Sequence, residues 1–287
     1  MVPARFVLGL VVFLAAGLVL GGGCAAPVVE KPGPAHAQPL ADRGLYSAEY
    51  VTTSRREGAD QPFVLFRPEH PVASVILFAG SGGDIGISPY GIKKRGNFLV
   101  RSRDRFAQQD LLVAVVYAPS DRYDLNNFRT SRAHALDIKG VIAYLRQQAP
   151  VPVWLVGTSR GTISAAKIAD WLADDGGPDG IVLTSSLFNR GRGGETVYDA
   201  SPGRVRVPLL LVHNQSDRCP STPFSQADGY VKRMVHAEPR ELIAFKGGGP
   251  VRGGVCDAFD YHGYPGLEDQ VVKAIADWIK AHPPHKP

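Results

Sequence analysis

From residue 46 onward, short apolar runs alternate with stretches whose apolar positions recur every three or four residues. Ala73-Ser74-Val75-Ile76-Leu77-Phe78 is nearly unbroken in apolar character, and Leu111 to Tyr117, Val151 to Val156, Gly180 to Leu183 and Val207 to Val212 repeat it. Runs of this length without polar alternation predict strands covered on both faces. Tyr46 to Arg55 and Pro62 to Arg67 predict two opening antiparallel strands around Glu57-Gly58-Ala59-Asp60, and Arg240 to Phe245 predicts the last strand. Helical periodicity closes at Phe106 to Gln109 and returns at His134 to Gln148, Thr162 to Ala173, Phe224 to His236 and Leu267 to His282. In the last of these, Leu267, Val271, Ile275, Trp278 and Ile279 mark one face. The alternation predicts an α/β chain of βαβ units: a mostly parallel sheet with helices on both faces. No internal repeat is present, and the short interval from Leu183 to Val207 has no room for a second domain.

The first residues follow another pattern. Arg5 is the only charge before the apolar run Phe6 to Leu20, which breaks into Gly21-Gly22-Gly23-Cys24. A run of about fifteen residues is short of the roughly 20 that span a bilayer, so residues 1–23 are expected to be a secretory leader. The small residues before Cys24 resemble a bacterial lipoprotein processing site, although Gly21 stands where a leucine-like residue is usual. That resemblance implies lipid on Cys24 and membrane attachment through it. Ordinary signal cleavage and an uncleaved anchor are the alternatives. Ala25 to Ala41, with four prolines, reads as tether. The expected organisation is a leader over 1–23, a flexible tether over 24–44, one α/β domain over 45–282 and a tail over 283–287.

Charge adds little. The formal net charge is +5, and loss of Arg5 with the leader leaves +4. Lys and Arg are spread along the chain, so no nucleic-acid partner is expected. Beyond the leader and Cys24 only Cys219 and Cys256 remain, an even count that in an oxidising compartment predicts a disulfide. Neither has a C-x-x-C or histidine-spaced partner, so no metal site is expected. No cofactor is expected either: Ile85 breaks G-x-G-x-x-G in the glycine-rich loop at Gly80, and no G-x-x-x-x-G-K-[ST] occurs.

The chemistry is concentrated at Gly157-Thr158-Ser159-Arg160-Gly161, directly after Val153-Trp154-Leu155-Val156 and directly before a helix. A G-x-S-x-G between strand and helix lifts a serine hydroxyl out of the chain on a strained turn, where a base and oxyanion donors reach it. The glycines allow strand and helix to approach closely. This elbow, with its order of flanking elements, resembles the α/β-hydrolase family over roughly residues 45–282.

The resemblance implies a serine, acid, histidine order along the chain. Asp217, after the strand Leu209-Leu210-Leu211-Val212, stands where the family has its acid, and His262, between the last strand and last helix, matches its base. His213 is the rival base, and Asp257 and Asp260 are alternative acids. Cys219 and Cys256 flank Asp217 and His262, so their bridge would tie the acid loop to the base loop. The oxyanion donors implied are the backbone N–H of Arg160 and that of Ser81, with Gly82 in reserve; Ala79 departs from the histidine common before that glycine. The Arg160 side chain either faces acidic substrate groups or pairs elsewhere on the protein.

No large cap is expected, because Phe188 to Gly203 is short, but Asp84 to Phe98 is long enough to roof the cleft. The expected activity is that of an exported serine hydrolase, periplasmic or lipid-anchored, cleaving a small-molecule or lipid-like ester, or an amide or thioester, through an acyl-enzyme. Acyl transfer to another alcohol on the same triad, and an inactive envelope-tethered binding protein, are the alternatives. The sequence selects no acyl chain, no substrate-binding residue and no oligomeric state.

Overall fold

The apolar runs become neighbouring strands of one mixed sheet. The computed structural model of the chain describes residues 1, 35–40, 46–191 and 194–283. Its strands are β1 (His36–Pro39), β2 (Ser47–Arg56), β3 (Ala59–Arg67), β4 (Ala73–Phe78), β5 (Ile87–Ser88), β6 (Gly91–Ile92), β7 (Leu111–Val116), β8 (Val153–Thr158), β9 (Gly180–Thr184), β10 (Leu209–Asn214) and β11 (Arg240–Phe245). Its helices are α1 (Phe98–Arg101), α2 (Arg103–Ala107), α3 (Arg132–Gln148), α4 (Gly161–Trp171), α5 (Ala227–Arg233) and α6 (Glu268–Ala281). The main sheet runs β1-β2-β3-β7-β4-β8-β9-β10-β11, and β5 and β6 form a separate hairpin. Pairs from β1 to β7 are antiparallel; the others are parallel.

The period of two along each strand sorts the core into two layers. Ile76 and Phe78 of β4 face α3 and α4, where Ile138, Val141, Ala165 and Ile168 are fully buried. Val75 and Leu77 face the opposite layer, against Phe106 of α2 and Val271, Ile275 and Ile279 of α6. Trp154 of β8 meets Trp278 of α6 edge to face at 5.5 Å. Each such aliphatic or aromatic side chain contributes roughly 1.5–3 kcal/mol by leaving water, which explains why the central strands carry no polar alternation. The Ser131 side chain caps α3 by accepting from the His134 N–H, and Arg146 lies in its last turn.

Several expectations shift. The tether was expected to be unstructured through residue 44, yet His36–Pro39 pairs antiparallel with β2 at the sheet edge. An edge position tolerates a proline, which has no N–H to donate to a further strand. The leader, Cys24, most of the tether and residues 284–287 lie outside the described residues. The helix expected over Phe224 to His236 is a 3-10 turn, Phe224–Gln226, followed by α5, which stops at Arg233. Between β9 and β10 the described residues form loops and a single 3-10 turn, Val197–Asp199, and no cap domain. Asp84 to Phe98 folds as the β5–β6 hairpin and its return. No helix among the described residues is long and apolar enough to cross a membrane.

Candidate active site

Parallel strands deliver their carboxyl ends to one edge of the sheet, where ligands of open α/β sheets bind. At the end of β8, Ser159 adopts the left-handed conformation with φ of 52°. Its N–H donates to Thr184 O of β9 at 3.0 Å, and its carbonyl accepts from the Thr162 N–H and hydroxyl at 3.0 and 2.6 Å. A non-glycine residue held there by flanking hydrogen bonds stores strain, a property concentrated at functional sites. Both glycines are sterically required: a Cβ at Gly157 would lie 2.4 Å from Gly161 O, and one at Gly161 would lie 2.1 Å from Phe78 O. Among the described residues Ser159 Oγ makes no hydrogen bond, and Ser159 lines a cavity of about 40 Å3 together with His262.

Asp217 follows β10 in a turn closed by its own N–H on Asn214 O. Its Oδ1 accepts from the Cys219 N–H at 2.9 Å, and its Oδ2 lies 3.0 Å from His262 Nδ1. Asp217 and His262 are 9% and 5% exposed, so this pair sits largely out of water. A carboxylate only accepts, so in the neutral imidazole the proton sits on His262 Nδ1 and Nε2 keeps its lone pair. The rivals are occupied elsewhere. His213 is fully buried, and its Nε2 donates to Thr222 O at 2.8 Å. Burial lowers its pKa, against the opposing effect of that bond. Asp260 Oδ2 pairs with Arg218 at 2.7 Å and its Oδ1 caps the turn carrying His262, while Asp257 accepts from the Gly254 N–H.

No protein-family model matches the chain. No curated protein sequence matches it either. Solved structures do. A serine hydrolase without a lid from Xanthomonas campestris superposes with a TM-score of 0.52 at 12% identity, covering 91% of this chain and 100% of its own. A dienelactone hydrolase from Anabaena variabilis gives 0.52 at 14% identity, over 88% of this chain and 99% of its own. An esterase from Pyrococcus furiosus gives 0.58 at 11% identity, over 83% and 91%. The chain has the α/β-hydrolase fold.

Within this α/β-hydrolase fold, residues that carry no motif hold the loops. The Thr222 hydroxyl donates to Asp217 Oδ2 at 2.9 Å and lies 3.2 Å from His262 Nδ1. Cys219 and Cys256 form the expected disulfide, with Cα atoms 4.7 Å apart, directly beside the Arg218–Asp260 pair. The His262 carbonyl lies 2.8 Å from the Ser185 hydroxyl. Tyr264 OH donates to Val212 O at 2.9 Å and accepts from the Ser185 N–H at 3.1 Å. The His262 loop is thereby tied to the end of β9, to β10 and to the Asp217 loop.

The loop after β4 approaches Ser159 closely. Gly80 O accepts from the Gly83 N–H at 3.0 Å, and Ser81 sits in this turn at φ of 50°. Ser81 lines the cavity of Ser159, whereas Gly82 lines only the larger cavity next to it. Beneath the turn lies Arg129, fully buried, donating to Ala79 O and Ser81 O at 3.1 Å each and to Ser164 Oγ at 2.9 Å. Burial, with Arg160 adding to it, lowers the Arg129 guanidinium to about 9, so it remains a cation at neutral pH. The Arg160 side chain turns to Glu195 at 3.5 Å, beside Thr130, which resolves its two readings in favour of pairing on the protein. Thr222, Arg129, Ser185 and Tyr264 are invisible in the sequence because each acts through contacts 30 or more residues away, or through a hydroxyl that resembles any other.

Proposed function

We propose that the protein is an exported serine hydrolase that cleaves an ester through an acyl-enzyme on Ser159. The observation carrying this reading is the His262–Asp217 hydrogen bond, 3.0 Å long, made by an imidazole that shares a cavity with a serine at positive φ. His262 Nε2 takes the Ser159 proton as Oγ attacks the ester carbonyl carbon. The tetrahedral oxyanion is met by the Ser81 and Arg160 N–H groups. The carbon–oxygen bond then breaks, and the alcohol leaves with the proton held by His262. Water, deprotonated by the same nitrogen, attacks the acyl carbon and frees the acid and Ser159. Asp217 holds the imidazole tautomer and stabilises the imidazolium formed in each step. In the free enzyme the bond from Ser159 to the base is absent, as is frequent before substrate tightens such a site.

The Cys219–Cys256 disulfide supports an oxidising compartment and therefore export. In this reading the leader delivers the chain to the periplasm and Cys24 carries the lipid that holds it at the membrane, with an ester as substrate and no nucleic acid as partner. Mass analysis of the mature N-terminus checks the lipid. Hydrolysis of 4-nitrophenyl acetate by wild type, Ser159→Ala and His262→Ala tests the reaction: both variants are expected to lose activity to near background. Equal turnover by Ser159→Ala and wild type refutes the mechanism.

A further inference from the structure

A cavity of about 440 Å3 adjoins the cavity of Ser159 and shares with it Gly80, Ser81, Asn97 and Ala258. Its volume falls within the roughly 300–1,000 Å3 range of small-molecule sites. Its wall sets the polar side chains of Ser81, Asp84, Lys94 and Asn97 beside the apolar Ala79, Ile85 and Ala258. Asp84 accepts from Tyr117 OH at 3.3 Å and from Tyr123 OH at 3.5 Å, and it pairs with the Lys94 ammonium. The β5–β6 hairpin carries that ammonium to the cavity: its return donates from Lys93 N–H to Gly86 O and from Lys94 N–H to Ile85 O, both at 2.9 Å. The Lys94 side chain is 57% exposed, so donors remain beyond the one used on Asp84.

Asn97 supplies a donor whose direction is fixed. Its Oδ1 caps α1 by accepting from the Leu99 N–H at 3.1 Å, so its Nδ2 is the atom turned toward Gly80. A methyl built at Gly80 would lie 3.5 Å from that Nδ2 and 3.0 Å from Ser159 Cβ. Among the described residues Nδ2 makes no hydrogen bond. The largest apolar side chain of the wall, Ile85, is only 4% exposed and packs into the core behind.

We infer that this cavity is the subsite for a hydroxyl-rich alcohol portion of the substrate, such as a sugar ring bearing a short acyl ester, rather than for an aliphatic chain. The inference rests on the hydrolase reading and adds the substrate class. An alkyl chain here would strip water from Asp84, Lys94 and the Asn97 amide and return no hydrogen bonds. Hydroxyl groups replace that water donor for donor and acceptor for acceptor. The alcohol side is assigned because Asn97 and Ala258, which line this cavity, also line the smaller one with His262, the residue that returns the proton to the departing oxygen.

The test compares kcat/KM for an O-acetylated methyl glycoside, 4-nitrophenyl acetate and octyl acetate in wild type and Lys94→Gln. Wild type is expected to prefer the glycoside acetate over octyl acetate. The ratio of glycoside acetate to 4-nitrophenyl acetate should fall about tenfold in Lys94→Gln, the equivalent of one lost hydrogen bond. A wild type that prefers octyl acetate, or a ratio unchanged in the variant, overturns the subsite while leaving the hydrolase reading intact. No turnover of any of the three esters, with Ser159 inert to acylating reagents, overturns both.

Discussion

Thr222 donates its hydroxyl to Asp217 Oδ2 at 2.9 Å, the oxygen that also faces His262 Nδ1 at 3.0 Å. One carboxylate oxygen is thus held from two sides while Oδ1 is held by the Cys219 N–H. Thr222→Val keeps the volume and removes the donor. It is expected to lower kcat about tenfold, near the energy of one hydrogen bond, with KM little changed. Thr222→Ser should recover most of the loss. Wild-type kcat in the valine variant would show the hydroxyl to be idle.

The disulfide and the Arg218–Asp260 pair join the same two loops side by side, so they divide the work of bracing them. Arg218 is 58% exposed and Asp260 only 2%, so water screens one partner while the Tyr261 N–H goes on holding the carboxylate, and the pair contributes less than the covalent link. The disulfide closes a loop of 37 residues and is expected to contribute roughly 3–4 kcal/mol through the unfolded chain. Urea unfolding of Cys219→Ser/Cys256→Ser should therefore show a large drop in midpoint, whereas Arg218→Ala should show a small one. The reverse order would remove the disulfide from its bracing role.

How much of this was legible in sequence follows from the range of the interactions. The elbow is local: two glycines, a serine and an apolar strand lie within nine residues, and their steric logic holds in space. That the Asp217 and His262 loops meet was expected from the family resemblance, and the strand order brings the two side chains together. Thr222 was not legible, since its hydroxyl gains meaning only when β10 and the base loop come together. The edge strand β1 was read as tether because a short proline-bearing segment has no pattern of its own, and pairing with β2 decides its conformation. Nothing in the sequence singles out Asn97, whose amide gains a direction only from the start of α1.

His134 gives the fold a sensitivity to acid. It is fully buried beside Arg129, with Nε2 3.1 Å from Ser164 Oγ, and burial holds its pKa down at about 3 against an ordinary 6.5. In the folded state it stays neutral where the unfolded chain takes up a proton. Its contribution is therefore complete above pH 6.5 and is lost as pH falls from there toward 3. Between pH 7 and pH 5 this amounts to about 2 kcal/mol of lost stability. His134→Gln, which keeps a polar partner for Ser164, should lose less stability than wild type over the same interval in urea titrations. Parallel pH profiles for the two proteins would place the sensitivity elsewhere.

The central claim is that Ser159 is a nucleophile activated by His262. The direct measurement is intact-mass and peptide analysis after exposure of the folded protein to a fluorophosphonate. The account predicts one adduct, on Ser159, absent in Ser159→Ala and strongly slowed in His262→Ala. A folded wild-type protein that takes up no adduct, or takes it up at another residue, contradicts it.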